Sequence, residues 1–285
     1  MAVEGSLKKL IKLDRNFFYS PFRYPGGKTW LAPVIEKWLS KQVDCLVEPF
    51  AGGGSIGLTA ASTGLAKTVH LVELDPGIAV VWQVMLNGQS QELTVLIKDF
   101  KLNKSTVNAL LDSVKRSPLQ KAFQTIIRNR VSRGGIMAEG AGLLKQGEDG
   151  KGLKSRWYPD TLGKRITHIN TLREKITFSC GDGLAYLKTF LNSEAKTSLA
   201  FFIDPPYSTA GPRLYRYHKL AHEELFEIAG KLPGNVLMTY EDTKEVRTLA
   251  TKSGLSFKQV PMKSVHHVRK KELLISQDLE WFNGR

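Results

Sequence analysis

The sequence predicts an open, doubly wound, mostly parallel α/β sheet into which a basic helical module is inserted. Three observations carry this expectation. Residues 43–98 alternate strand-like and helix-like segments, strand signals vanish from about Asp99 to Asn170, and they return from Lys175 onward. Strands that alternate with helices imply βαβ units and a parallel sheet. The division that follows is a first half of the sheet domain at 1–98, an insertion at 99–172 and a second half at 173–285.

Taken in order, Cys45–Phe50 reads as a short buried strand, Ser55–Thr63 as a helix, Val69–Glu73 as a second strand and Ile78–Asn87 as a second helix. Within the insertion, Lys104–Lys115 and Gln120–Asn129 are helical, and Ser132–Gly152 is a glycine-rich basic loop. Further strands are expected at Lys175–Ser179, Ser198–Ile203 and Asn235–Thr239, followed by a hairpin-like pair at Phe257–Met262 and Glu272–Ser276. No internal repeat is visible.

Composition excludes several classes. With 285 residues, 42% hydrophobic and 24% charged, the chain has ordinary globular composition and enough length to bury a core without metal or disulfide staples. Cys45 and Cys180 are too few for a disulfide framework and suit a reducing cytoplasm, and no zinc site is expected. Apolar runs such as Leu199–Ile203 are far short of the roughly 18 residues of a membrane span, and Met1–Leu13 alternates Lys with Leu instead of forming a signal-peptide core. The expectation is a soluble cytoplasmic protein with no membrane partner.

Charge is more informative. The formal net charge is +14, and residues 101–175 hold 16 Lys or Arg against six acids. Such an excess favours a polyanionic partner through phosphate neutralisation and counterion release. On its own it is equally the mark of a solvated basic face.

Two motifs carry chemistry. In Val47-Glu-Pro-Phe-Ala-Gly-Gly-Gly-Ser55 a strand runs into three glycines and a helix, which allows a tight turn and a close ligand approach at the carboxyl edge of the sheet. About twenty residues on, Val72-Glu-Leu-Asp75 ends the next strand with acids placed to accept hydrogen bonds from ribose hydroxyls. No phosphate-binding G-x-x-x-x-G-K-[ST] loop or G-x-G-x-x-G is present, so an adenosine ligand without a pyrophosphate fits best. In Phe201-Phe-Ile-Asp-Pro-Pro-Tyr207 a buried strand delivers a carboxylate, two prolines fix an extended turn and an aromatic follows.

Asp204-Pro-Pro-Tyr207, with Glu48-Pro-Phe50-x-Gly52-x-Gly54 and the earlier Pro21-Phe-Arg-Tyr24-Pro-Gly-Gly27-Lys28, resembles the N6-adenine DNA methyltransferases, in particular the group around the DNA adenine methylases of bacteria and phages. The order of motifs matches, and the resemblance runs from about Pro21 to Ser276. Tyr24 stands where that group more often has Trp, and the Glu73-Leu-Asp75 ending leaves two candidates for the ribose acid. Glu73 is assigned because it closes the strand.

The resemblance implies a Rossmann-like S-adenosylmethionine-dependent methyltransferase fold with an inserted helical DNA-recognition domain. It also implies transfer of a methyl group from S-adenosylmethionine, leaving S-adenosylhomocysteine, to the exocyclic N6 of an adenine flipped out of double-stranded DNA. Asp204, Pro205, Pro206 and Tyr207 would form the catalytic motif. Tyr24, Lys28, Glu48, Phe50, Gly52, Gly54, Glu73, Asp182 and Asp204 would line the cofactor pocket. Asp182 reads equally well as a turn or helix-cap aspartate. Arg128, Asn129, Arg130, Arg133, Lys151, Lys154 and Arg156, together with Tyr217 and Arg269 in the later loops, would face DNA. A homodimer would suit a symmetric target site. The alternatives are N4-cytosine DNA or N6-adenine RNA methylation and, outside enzymes, a DNA-binding module with an idle cofactor pocket.

Overall fold

The computed structural model of the chain describes residues 19–23, 27–114, 116–137, 141–147, 150–192, 197–207, 220–263 and 269–282. Seven strands form one sheet: β1 (Val43–Glu48), β2 (Ala66–Glu73), β3 (Ile176–Cys180), β4 (Leu199–Ile203), β5 (Asn235–Glu241), β6 (Ser256–Lys263) and β7 (Arg269–Ser276). Their order is β3-β2-β1-β4-β5-β7-β6. The first five run parallel, and β7 runs antiparallel to β5 and to β6. The expected class, an open and mostly parallel doubly wound sheet, is the one observed. Strand order reverses between β1 and β4, and the crevice at such a switch point, outside the carboxyl ends of the strands, is where open α/β sheets bind ligands.

Strand β4 shows why the sequence folds this way. Leu199-Ala-Phe-Phe-Ile203 is buried at every residue, as expected of a strand covered on both faces. Alternate side chains enter different cores. Ala200 and Phe202 join one cluster, and Phe201 and Ile203 join the other.

The first cluster is covered by α1 (Ala32–Trp38), α2 (Ser55–Thr63) and α3 (Pro76–Leu86), and the second by α8 (Gly183–Lys188), α9 (His222–Lys231) and α10 (Lys244–Lys252). Helix α2 lies unusually close to the sheet at Gly57. A Cβ there would stand 2.7 Å from Leu71 Cδ2 and 2.8 Å from Val69 Cγ1.

Between β2 and β3 lie α4 (Ser90–Asp99), α5 (Lys104–Asp112), α6 (Pro118–Val131) and α7 (Pro159–Thr171). Of these, α4 and α7 go beyond the helices read from sequence. Helix α6 begins with a capping box in which the Ser117 side chain accepts from the Gln120 amide and Gln120 returns the bond. Helix α6 packs along α3 and α7 along α4, so Val107, Ile126, Ile127, Ile166 and Ile169 belong to the same hydrophobic cluster as the sheet. The glycine-rich segment after α6 folds back in a short antiparallel bridge between Ser132 and Leu143.

Candidate active site

The glycine turn after β1 adopts the conformations its composition permits. Gly52 and Gly54 have φ of 48° and 60°, in the left-handed region that favours glycine. A Cβ on Gly54 would also stand 2.7 Å from Trp82 Cζ2, and the Trp82 indole donates to the Gly52 carbonyl at 2.9 Å. Trp82 was not among the residues read from sequence, and it forms the floor beneath this turn.

Acidic side chains fasten the loop to the neighbouring strand ends. The Gly52 amide donates to Glu73 Oε2 at 2.8 Å and the Asp75 amide to Glu73 Oε1 at 2.7 Å. Glu48 accepts from the Gly57 amide at 2.7 Å, at the start of α2. Burial pushes both carboxyls up, Glu48 to about 8 and Glu73 to about 7, with the backbone donors only partly offsetting the loss of water. Asp75 caps α3 by accepting from Gly77 at 2.7 Å, and Asp182 caps α8 by accepting from Leu184 at 2.9 Å. Asp182 therefore has the helix-cap role that sequence alone leaves open. It still lies beside the site, because the neighbouring Gly181 amide donates to the Glu73 carbonyl at 3.0 Å. Phe50 packs on the second core, where α8 meets the Pro49 carbonyl at Gly183.

Across the switch point stands a second group. Asp204 follows β4 directly, and its Oδ1 accepts from Thr239 Oγ1 at 2.6 Å, from Lys28 Nζ at 2.9 Å and from the Tyr207 hydroxyl at 3.4 Å. Every hydrogen bond and ion pair that reaches Asp204 among the described residues ends on Oδ1, and the side chain is 24% exposed. The Tyr207 hydroxyl lies 3.1 Å from Lys28 Nζ and 3.0 Å from Glu272 Oε1. Glu272 Oε1 is also 3.6 Å from Lys28 Nζ. The Tyr207 ring stacks on Tyr240 at 5.6 Å and 23°, and the Tyr240 hydroxyl is paired with His222 Nδ1 at 2.7 Å.

One buried ammonium thus serves two carboxylates. Burial would lower the Lys28 pKa, but Asp204 and Glu272 outweigh that effect and hold it above the ordinary lysine value. Burial pushes Glu272 up, and Lys28 offsets this only in part because Asp204 repels a second negative charge. Lys28, expected to line the cofactor pocket together with Asp204, stands against Asp204 and Tyr207 of the Asp-Pro-Pro-Tyr motif. Thr239, Tyr240 and Glu272 were missed. Glu272 had one signal, as the single acid in the otherwise basic and apolar strand Arg269–Ser276.

The segment leading to Lys28 is tied to the insertion. Asn129 Oδ1 accepts from the Arg23 amide at 2.8 Å, and its Nδ2 donates to the carbonyls of Arg23 and Gly135 at 2.9 and 3.0 Å. Arg130 donates to the Pro21 carbonyl and Arg165 to the Ser20 carbonyl. Gly135, with φ of 75°, leaves no room for a Cβ against the Arg23 carbonyl. Asn129 and Arg130, expected to face DNA, are both buried: the Asn129 amide is engaged with the backbone of Arg23 and Gly135 and one terminal nitrogen of Arg130 with the Pro21 carbonyl, while Arg130 Nε has no hydrogen-bond partner among the described residues. Burial and the neighbouring Arg165, Arg23 and Arg156 lower Arg130 to about 9. Arg128, Arg133, Lys151 and Lys154 are exposed and Arg156 is half-buried. Tyr24 and Tyr217 lie outside the described residues, as does the side chain of Arg269.

Among the described residues no group of three or more His, Cys, Asp or Glu is arranged to hold a metal ion, and no helix is long and apolar enough to cross a membrane.

Among comparisons with known proteins, a family match agrees with a methyltransferase. Residues 24–128 match the family model of the D12 class N6 adenine-specific DNA methyltransferases. No curated protein matches the chain in sequence. Among solved structures, the rRNA methyltransferase aviRa of Streptomyces viridochromogenes is 13% identical, with a TM-score of 0.39 over 90% of this chain and 87% of that one. The precorrin-6y C5,15-methyltransferase of Geobacter metallireducens is 10% identical, with a TM-score of 0.38 over 87% and 88%. A SAM-dependent methyltransferase of Agrobacterium tumefaciens is also 10% identical, with a TM-score of 0.38 over 87% and 60%. These likenesses are shallow, and the reading of the site rests on this chain's own residues and on the family match.

Proposed function

We propose that this chain methylates the exocyclic N6 of adenine in double-stranded DNA, with S-adenosylmethionine as methyl donor. The observation that carries the reading is the state of Asp204. Its Oδ1 is held by Thr239 and Lys28 and lies 3.4 Å from the Tyr207 hydroxyl, while Oδ2, with no bond among the described residues, has lone pairs for a ligand at the carboxyl edge of the sheet.

The pocket on the β1–β2 side suits the donor. The left-handed glycine turn brings backbone close to a ligand, and the Glu73 oxygens, which accept from the Gly52 and Asp75 amides, keep further lone pairs for ribose hydroxyls. Asp75 is occupied as a helix cap, which favours Glu73 as the ribose acid. Exposed Leu74, between them, offers an apolar face to a purine. S-adenosylmethionine supplies an electrophilic methyl group when bound.

The chain's own residues then have defined tasks. An exocyclic amine on a purine is a poor nucleophile because its lone pair is delocalised into the ring. Asp204 Oδ2 and the Pro205 carbonyl accept its two N–H bonds, which favours a tetrahedral nitrogen with its lone pair free to attack. Because Oδ1 is already fixed, little reorganisation remains at the moment of reaction. Tyr207, backed by Tyr240, presents a flat face on which a flipped base stacks. The exposed Arg128, Arg133, Lys151 and Lys154 neutralise DNA phosphates.

The test is to incubate the purified chain with methyl-labelled S-adenosylmethionine and DNA from a host free of adenine methylation, then identify the modified base. Label in N6-methyladenine is the expected result. Label in RNA alone, in cytosine, or nowhere overturns the reading.

A further inference from the structure

We infer that Glu272 is a positioning residue of this site, holding Lys28 and Tyr207 so that Asp204 presents its second oxygen to the substrate amine. The inference rests on the methyltransferase reading above and goes beyond its sequence motifs, none of which includes β7.

The geometry is specific. Glu272 is 3% exposed, and its Oε1 accepts from the Tyr207 hydroxyl at 3.0 Å while lying 3.6 Å from Lys28 Nζ. Its Oε2 is buried with no hydrogen-bond partner among the described residues. A buried carboxyl with one oxygen unsatisfied is costly, and a core built for stability alone would be better served by an apolar residue. The contacts of Glu272 go to the two side chains that also touch Asp204.

Two consequences follow. By accepting the hydrogen bond of the Tyr207 hydroxyl at 3.0 Å, against 3.4 Å to Asp204, Glu272 draws that hydroxyl away from Asp204 and fixes the ring against Tyr240. By sharing the Lys28 charge, it prevents the ammonium from being neutralised by Asp204 alone. Asp204 then remains a stronger acceptor for the substrate than it would be in an isolated pair. The strand supplies the precision: Glu272 is in register with Glu241 of β5, in the strand that also carries Thr239.

The experiment compares the wild type with Glu272→Gln, Tyr207→Phe and the double variant, using labelled S-adenosylmethionine and the same DNA. Glu272→Gln removes the charge shared with Lys28 and weakens the link to Tyr207, because a neutral amide oxygen replaces the carboxylate acceptor. It is expected to lower kcat roughly 10- to 100-fold, the scale of one charged hydrogen bond, while the KM for S-adenosylmethionine stays within about threefold. The double variant is expected to lose much less than the product of the two single losses, because both substitutions break one link. Glu272→Asp, which keeps the charge but withdraws it, is the second variant should Gln fail to fold, and it too is expected to lower kcat at unchanged KM. Wild-type kcat in any folded Glu272 variant, or fully multiplicative losses, overturns the inference alone. Failure of the wild type to label any DNA overturns the functional reading and this inference with it.

Discussion

The two sides of the switch point hold their acidic side chains in different ways. On the β1–β2–β3 side, Glu48, Glu73, Asp75 and Asp182 all accept from backbone amides. On the β4–β5–β7 side, Asp204 and Glu272 are held by other side chains, namely Lys28, Tyr207 and Thr239. Backbone donors fix the shape of a loop and leave a carboxylate with spare acceptor capacity, which suits a binding pocket. A side-chain network fixes one oxygen and leaves the other for a substrate, which suits chemistry. The comparison predicts that substitutions on the first side act on affinity and stability and those on the second on turnover.

The largest expected effect lies on the second side. Asp204→Ala is expected to cost about 3 kcal/mol or more of transition-state stabilisation with little change in affinity for S-adenosylmethionine. Label transfer close to that of the wild type would break the division. On the first side, Glu73→Ala is expected to raise the dissociation constant for S-adenosylmethionine by roughly one to two powers of ten, from one or two lost hydrogen bonds to a charged group. Calorimetry that shows unchanged affinity would move the ribose contact away from Glu73.

Glu48 sharpens the same comparison through pH. Its folded pKa of about 8 lies above the ordinary glutamate value, so between the two values the folded state binds more protons than the unfolded state. Stability from this group is full below the ordinary value and is lost as pH rises through about 8. Glu73, raised to about 7, acts in the same direction. The melting temperature is therefore expected to fall between about pH 5 and pH 8, and Glu48→Gln to flatten that fall. An identical pH dependence in the variant would show that Glu48 is not its source.

The smallest effect concerns the exposed basic residues, which belong to neither side. Neutralising Lys151 and Lys154 together is expected to weaken binding to all DNA sequences alike and to flatten the plot of log affinity against log salt by about 0.9 per lost contact. Titrations at several salt concentrations check this. An unchanged slope would leave those charges as a solvated face.

The fold class was legible in the sequence, as were the glycine turn and the acid that closes β2. The period of the strands and helices reflects burial on one or two faces, which is a local property of the chain. The left-handed turn at Gly52 and Gly54 and the caps at Asp75 and Asp182 are likewise local, the caps reaching amides two residues on, whereas Glu73 and Trp82, the partners of Gly52, lie 21 and 30 residues away. The second side was legible only at Asp204 and Tyr207, where strand, prolines and aromatic are consecutive. Lys28 lies 179 residues from Tyr207 and Glu272 lies 65, and nothing in either local sequence names the other. Asn129 and Arg130 make the same point: a polar and basic helix end reads as a DNA contact, yet both bind a segment more than one hundred residues earlier. Which polar groups meet across those distances is set by tertiary packing, because a buried charge or amide left unpaired is costly and its partner comes from wherever packing places one.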